Sequence, residues 1–251
     1  MDPLPATKLT FRQSDLKHLS DDEKCMFMQA GIILTELRFF DLQLLTHVNH
    51  LRKRRNRHEA EIGILFSQIT LLLAGLAGKL VEANNVLKKS FYLPTVSKKY
   101  SPLLSPEASG SLSNIKGYFS NKDNLASILR NNFGFHYDRD RILDHIANLP
   151  DEFEHRAYLT LLMNESFLDF GQTCSMHALA KATGASNAVD GLFKAYGELG
   201  ASLTKDFNIF LHGLLQVIGK EITFRSEKVR IPRRADSPVL YVPKGMEHPR
   251  G

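Results

Sequence analysis

Arg130, Asn131 and His136 are the residues of this chain whose types and spacing best suit chemistry on a phosphodiester. They lie in the run Ile128-Leu129-Arg130-Asn131-Asn132-Phe133-Gly134-Phe135-His136-Tyr137-Asp138. RNA is cleaved when its own 2′-OH attacks the adjacent phosphate. That step needs a base for the hydroxyl, an acid for the leaving oxygen and a cation for the crowded anionic transition state. Histidine titrates near neutral pH and can take either proton-transfer role. Arginine stays charged and offers a planar fork matched to phosphate oxygens. Charge stabilised only in the transition state is usually the largest catalytic term. Arg130 and His136 are six residues apart, and on an unbroken helix that spacing rotates the side chains about 240° from one another. Convergence therefore needs a helix ending near Asn132, with Gly134 releasing the chain from helical geometry. Arg130 then projects from the last turn and His136 folds back beside it. The plainer reading is that both groups cap carbonyls or pair with Asp138 or Asp140.

Arginine, then a polar residue, then histidine after a short spacer resembles the signature of the HEPN superfamily. In this chain that pattern is Arg130-Asn131 followed by His136, with an aromatic-rich FGFHYD segment around the histidine. The resemblance implies a bundle of four or five helices and a metal-independent ribonuclease working as a homodimer, with no cofactor. Arg130 and His136 would be catalytic, and Asn131 would orient them. The dimer would supply two histidines, one for each proton transfer. Such proteins recur in toxin–antitoxin and antiviral systems, which implies RNA and an antitoxin or regulatory protein as partners. Other members have lost activity and serve as binding or scaffolding modules, so a non-catalytic module that binds nucleic acid, nucleotide or a protein is the alternative. A helical protein whose basic tail docks onto something acidic is a third reading. Asn132 and Tyr137 beside the motif are candidate substrate contacts. So are Arg52, Arg54 and Arg55, which can neutralise phosphates and release counterions; their plainer role is a solvated turn.

The elements that must position these residues are helical. Ser20-Asp21-Asp22-Glu23 is a capping box. Met26, Ala30, Ile33, Leu37, Phe40, Leu44 and Val48 then recur at three- and four-residue steps, the apolar stripe of an α-helix. Ile62, Leu65, Ile69, Leu72, Leu76, Leu80, Ala83 and Leu87 form a second stripe. The basic run 52–57 between them predicts the turn of an antiparallel hairpin. Phe91–Ser113, with Pro94, Pro102, Pro106 and Gly110, reads as a loop. A helix from near Asn121 carries Leu125, Ile128 and Leu129 up to Arg130. Asp138 suits the N-cap of a short helix stopped by Pro150, and Arg156–Met163 fits either a strand or a buried helix. Ser166 opens a helix that Gly184 closes after Thr183. Val189, Leu192, Tyr196, Leu199, Leu203, Phe207, Phe210, Leu214 and Ile218 mark a last long helix, whose glycines either admit close packing or are tolerated. The expected fold is an all-α antiparallel bundle over residues 20–221, preceded by an extension over 1–19. Over 222–251, seven basic residues against three acidic ones leave +4, and four prolines exclude a helix. That tail is expected to be an extended arm, ordered on a partner or not at all.

With 43 % apolar and 24 % charged residues, the 251-residue chain has the composition of a folded protein rather than a disordered one. A net charge of +5 favours anionic partners. Cys25 and Cys174 lack a C-x-x-C setting and read as packed thiols, which fits a reducing, cytoplasmic setting. No basic stretch followed by an apolar run opens the chain, so no signal peptide is expected. Ile62–Val81 is nearly long enough to span a bilayer, but it carries Ser67, Gln68, Thr70 and Lys79 and reads better as a core helix. Other motif-like strings carry little. Glu152-Phe153-Glu154-His155 has no second E-x-x-H copy, which a di-iron bundle requires. His47, His50 and His58 have no zinc-ligand spacing. Gly75-Leu76-Ala77-Gly78-Lys79 lies inside a helical stripe rather than after a strand. Cys174 and His177 suggest packing rather than a nucleophile.

Overall fold

The computed structural model describes residues 4–53, 58–133 and 169–231, and positions 143, 146, 147, 154 and 157 between them. Helix α1 (Asp21–Lys53) starts at the capping box: the Ser20 N–H donates to Glu23 Oε2 at 2.6 Å, and the Glu23 N–H donates to Ser20 Oγ at 3.3 Å. Helix α2 (Glu59–Val86) is capped by His58, whose Nδ1 accepts from the Ala60 N–H at 3.2 Å, and runs on through a π-helical turn over Leu87–Phe91. The two helices form the expected antiparallel hairpin. Glu36 of α1 pairs with Lys79 of α2 at 2.7 Å, and one turn on Phe40 lies over Gly75. A Cβ at Gly75 would stand 2.6 Å from the Phe40 ring, so the glycine there makes room for an aromatic side chain.

Segment Glu59–Phe91 is long and apolar enough to cross a membrane, but 61 % of its most apolar window is buried inside the bundle. It packs against α1, α5 (Leu125–Phe133) and α6 (Asp169–Thr183). That is the position of a core helix, which explains its continuous apolar character.

The loop expected over Phe91–Ser113 is instead helical. Helix α3 spans Pro94–Tyr100, a 3₁₀ turn follows at Ser101–Leu103, and α4 spans Pro106–Ser120. Both Pro94 and Pro106 stand at the first helical position, where the missing N–H costs nothing and the fixed φ already suits a helix. Ser105 caps α4 by accepting from the Ala108 N–H at 3.2 Å. These prolines start helices rather than break them.

The last stripe is one continuous rod: α7 (Ala188–Ala195), a π-helical stretch (Tyr196–Leu203) and α8 (Thr204–Gly219). Its apolar positions are buried from Leu192 to Ile218, except that Tyr196 is half-buried; Val189, at the first turn, is exposed. Phe210 meets Phe91 edge to face at 5.0 Å, which joins the rod to the hairpin. Gly184, with φ +59°, ends α6 as the spacing predicts.

Two glycines of the rod admit close packing. A Cβ at Gly191 would lie 2.8 Å from the Ala180 Cα of α6, and one at Gly213 would lie 2.7 Å from the Ala108 Cβ of α4. By contrast, nothing lies within 4 Å of a Cβ at Gly197. Gly191→Ala therefore forces α6 and α7 apart and lowers stability by about 1–3 kcal/mol. Gly197→Ala leaves stability unchanged or raises it by about 0.5–1 kcal/mol through helix propensity. Urea unfolding followed by circular dichroism separates the two; equal effects would remove the close-packing account.

The chain's extremities depart most from expectation. The extension over 1–19 contributes strand β1 (Leu4–Thr10), which pairs antiparallel with β2 (Arg225–Ile231) from Leu4 opposite Ile231 to Thr10 opposite Arg225. The first part of the tail is thus extended as expected, but it is ordered by the chain's own N-terminal segment. At its base Phe11 packs edge-on against Phe27 and Phe224, with centroids 5.9 and 5.6 Å away. Cys25 is also a correction: its thiol is exposed on α1 rather than packed. The Cys174 side chain, Glu152, His155, Arg156, Tyr158–Met163 and Ser166 lie outside the described residues.

Candidate functional site

Helix α5 carries Arg130, and local side chains set where it begins. Asn124 Oδ1 accepts from the Ser127 N–H at 2.9 Å, which makes Asn124 the N-cap, three residues later than expected. The Tyr118 hydroxyl accepts from the Ala126 N–H at 3.1 Å and donates to Glu198 Oε1 at 2.7 Å, tying the first turn of α5 to α4 and the π-helical stretch. Burial of this phenol, with Glu198 beside it, pushes its ionisation well above the usual range. Leu125, Ala126 and Leu129 face the core, so α5 is held on one side and Arg130 stands in its last turn at the edge of the packed face.

Arg130 Nη2 donates to Glu82 Oε1 at 2.8 Å, and both side chains are about half exposed. A cation in the last turn of a helix also meets the negative end of the backbone dipole. Ion pairs this accessible contribute about 0–1 kcal/mol. Arg130 is thus charged, oriented and cheaply released to another anion. Glu82→Ala is expected to change unfolding free energy by less than about 1 kcal/mol, measured by urea denaturation; a loss above about 2 kcal/mol would make the pair structural.

Asn131 is exposed beside Arg130. Asn132 lies in the last turn of α5, which runs through Phe133, one residue past the expected end; its side chain lies outside the described residues. So do Gly134, His136, Tyr137, Asp138, Asp140, Arg54, Arg55 and the side chain of Arg52, whose backbone is in the last turn of α1. Glu82 is the partner that spacing alone missed. Its signal was a lone carboxylate in the apolar run of α2, and 48 positions separate it from Arg130.

A second polar cluster joins the N-terminus of α1, α3 and the end of α8. Lys99 Nζ donates to Glu23 Oε1 at 2.7 Å and to Glu221 Oε2 at 2.8 Å. The Tyr100 hydroxyl lies 2.9 Å from both Glu23 Oε1 and Glu221 Oε1. His18 Nε2 donates to the Glu221 carbonyl at 2.7 Å. Burial alone would raise the Glu23 carboxyl, but hydrogen bonds from Lys99, the Ser20 backbone and Tyr100 outweigh it and hold it at about 2. Glu221 and then Glu23 hold the Lys99 proton more tightly, and burial pushes the Tyr100 phenol up. The members of this cluster satisfy one another: one ammonium and one phenol bridge two carboxylates. It is a clamp.

An open groove of about 540 Å³ runs between α4 and the rod, lined by Glu107, Ser111, Asn114, Lys205 and Asp206, and Arg130 is not among its walls. Asn114 Nδ2 donates to Asp206 Oδ1 at 3.2 Å across it. Between α1 and α8, burial raises Asp41 despite Arg38, and burial with Arg38 nearby lowers His212. His47 Nδ1 donates to the Gln43 carbonyl at 2.7 Å within α1. Among the described residues, no three His, Cys, Asp or Glu side chains are grouped to hold a metal ion.

The described fold defines the class of protein, an all-α helical bundle with one small β-ribbon. No protein-family model, curated protein or solved structure matches the chain.

Proposed function

We propose that the chain is a HEPN-like, metal-independent endoribonuclease that acts in the cytoplasm as a homodimer, in a toxin–antitoxin or antiviral role. One observation carries the reading: Arg130, the first residue of the Arg-polar-x₄-His string, projects half exposed from the last turn of α5, where its ion-pair partner among the described residues is the surface carboxylate of Glu82. The 2′-oxygen attacks phosphorus while one histidine takes its proton. The bond to the 5′-oxygen breaks as a second histidine, from the other copy, protonates it. The products are a 2′,3′-cyclic phosphate and a 5′-hydroxyl. Arg130 neutralises the oxygens of the crowded phosphorane, leaving Glu82 to do so, and Asn131 helps to orient Arg130 and His136. His136 supplies the titrating group, and Asn132 and Tyr137 are the substrate contacts on this reading. Arg52, which Arg54 and Arg55 follow in sequence, ends α1 beside the start of α2, at the far end of the hairpin from Glu82, and would meet only a distant stretch of a long RNA.

The same ion pair favours a second reading, since a carboxylate already occupies the guanidinium: a non-catalytic HEPN-like module that binds nucleic acid, nucleotide or a partner protein. Incubation of the purified protein with RNA in EDTA decides between them. Cleavage that leaves cyclic phosphate ends and spares DNA, which lacks the 2′-OH, supports the ribonuclease. Binding without cleavage supports the module.

A further inference from the structure

We infer that one face of the β-ribbon is an RNA-backbone contact surface, separate from the Arg130 site. Pairing register sorts the side chains, because residues opposite one another in an antiparallel pair share a face and neighbours along a strand alternate. One face carries Pro5 with Arg230, Thr7 with Lys228, and Leu9 with Ser226. All six are exposed, and no acidic residue is among them. The opposite face carries the half-buried Ala6–Val229 pair, the Lys8–Glu227 pair and the exposed Thr10–Arg225 pair, so two cations there stand with one carboxylate and its charge is partly matched.

An isolated two-stranded ribbon is marginally stable in water. This one is fixed by its base, through Phe11 against Phe27 and Phe224 and through His18 on the Glu221 carbonyl, rather than by burying a face. It therefore holds Lys228 and Arg230 in the open at a two-residue interval of about 6.8 Å. Charge complementarity points to a polyanion. A second copy is disfavoured at this ribbon, because Pro5 removes a backbone donor from one strand and the Lys228 and Arg230 charges repel their own kind. Among the described residues of the basic face none is aromatic and able to stack a base, so the contact is to phosphates and is indifferent to sequence. The choice of RNA as the polyanion rests on the proposed function; the location of the surface does not.

The test uses the full chain carrying His136→Ala, so that any cleavable RNA stays intact, with a fluorescent single-stranded 20-mer and anisotropy at several salt concentrations. Adding Lys228→Ala and Arg230→Ala is expected to weaken binding about tenfold. It should also reduce the slope of log affinity against log salt by about 1.4, two single-strand phosphate contacts. Lys8→Ala with Arg225→Ala on the opposite face is expected to change the slope less. An unchanged slope in the first variant, equal losses in both, or no RNA binding by the parent would overturn the inference. So would a salt-sensitive dimer in sedimentation that Lys228→Ala and Arg230→Ala dissolve. Thermal melting of each variant, expected to be unchanged, excludes loss of fold. The two readings fail separately: RNA held through the ribbon but never cleaved by the wild-type chain removes the ribonuclease and leaves the ribbon, whereas cleavage with an indifferent ribbon does the reverse.

Discussion

On the proposed ribonuclease reading, His136→Ala is expected to lower RNA cleavage by at least about a hundredfold to ten-thousandfold, the range for losing one positioned acid or base. Arg130→Ala lowers it by about a hundredfold to a thousandfold, as removal of a transition-state charge partner does. The two differ in how they fail. Because His136 of each copy supplies one of the two proton transfers, His136→Ala flattens both limbs of the pH–rate profile. Losing the guanidinium lowers kcat more than it raises KM, because the charge it meets is fullest in the transition state. Arg130→Lys keeps the positive charge without the planar fork and recovers part of the activity. Glu82 cannot substitute for either residue, being an anion facing an anionic phosphate. Initial rates on a short fluorescent RNA, in EDTA and across pH 5–9, measure all of this. A His136→Ala variant with full activity would end the assignment of the site.

Lys99→Met destabilises the fold by about 2–3 kcal/mol. Breaking a fully buried ion pair by deleting one partner costs about 3–5 kcal/mol, and the figure here is smaller because the Lys99 side chain is 41 % exposed. What it leaves behind is Glu23, 5 % exposed, beside Glu221 with no cation between them. The acid side of stability moves too. In the wild type the Glu23 carboxyl is depressed from 4.5 to about 2. Its contribution is therefore fully present above pH 4.5 and is lost as pH falls through 2. Removing Lys99 deletes the strongest of the interactions that lower it and leaves burial, which raises it. The variant's loss of stability in acid is expected to begin at higher pH than in the wild type. Urea unfolding at intervals from pH 2 to 7 tests the claim, and parallel pH dependences for the two proteins would refute the clamp. Tyr100→Phe is the milder companion, costing about 1–3 kcal/mol by leaving two carboxylate oxygens without their shared hydroxyl.

Local chemistry alone determined much of this protein. The capping box at Ser20, the stripes of α1, α2 and the last rod, and the stop at Gly184 are each written within a few adjacent turns, where periodicity and backbone propensity act. The prolines of 94–106 misled because the same residue starts a helix at its first position and breaks one inside, and only the capping context tells these apart. Arg130 was legible as a charged residue next to a helix end. Its partner Glu82, the Lys99 clamp and the pairing of residues 4–10 with 225–231 were not. Those contacts join segments tens to hundreds of positions apart, and their energies depend on distance and burial after packing rather than on neighbouring residue types. Tertiary structure also decided that the apolar α2 lies in the core and that the basic residues of β2 stand in the open, because only packing sets which side of an element meets water.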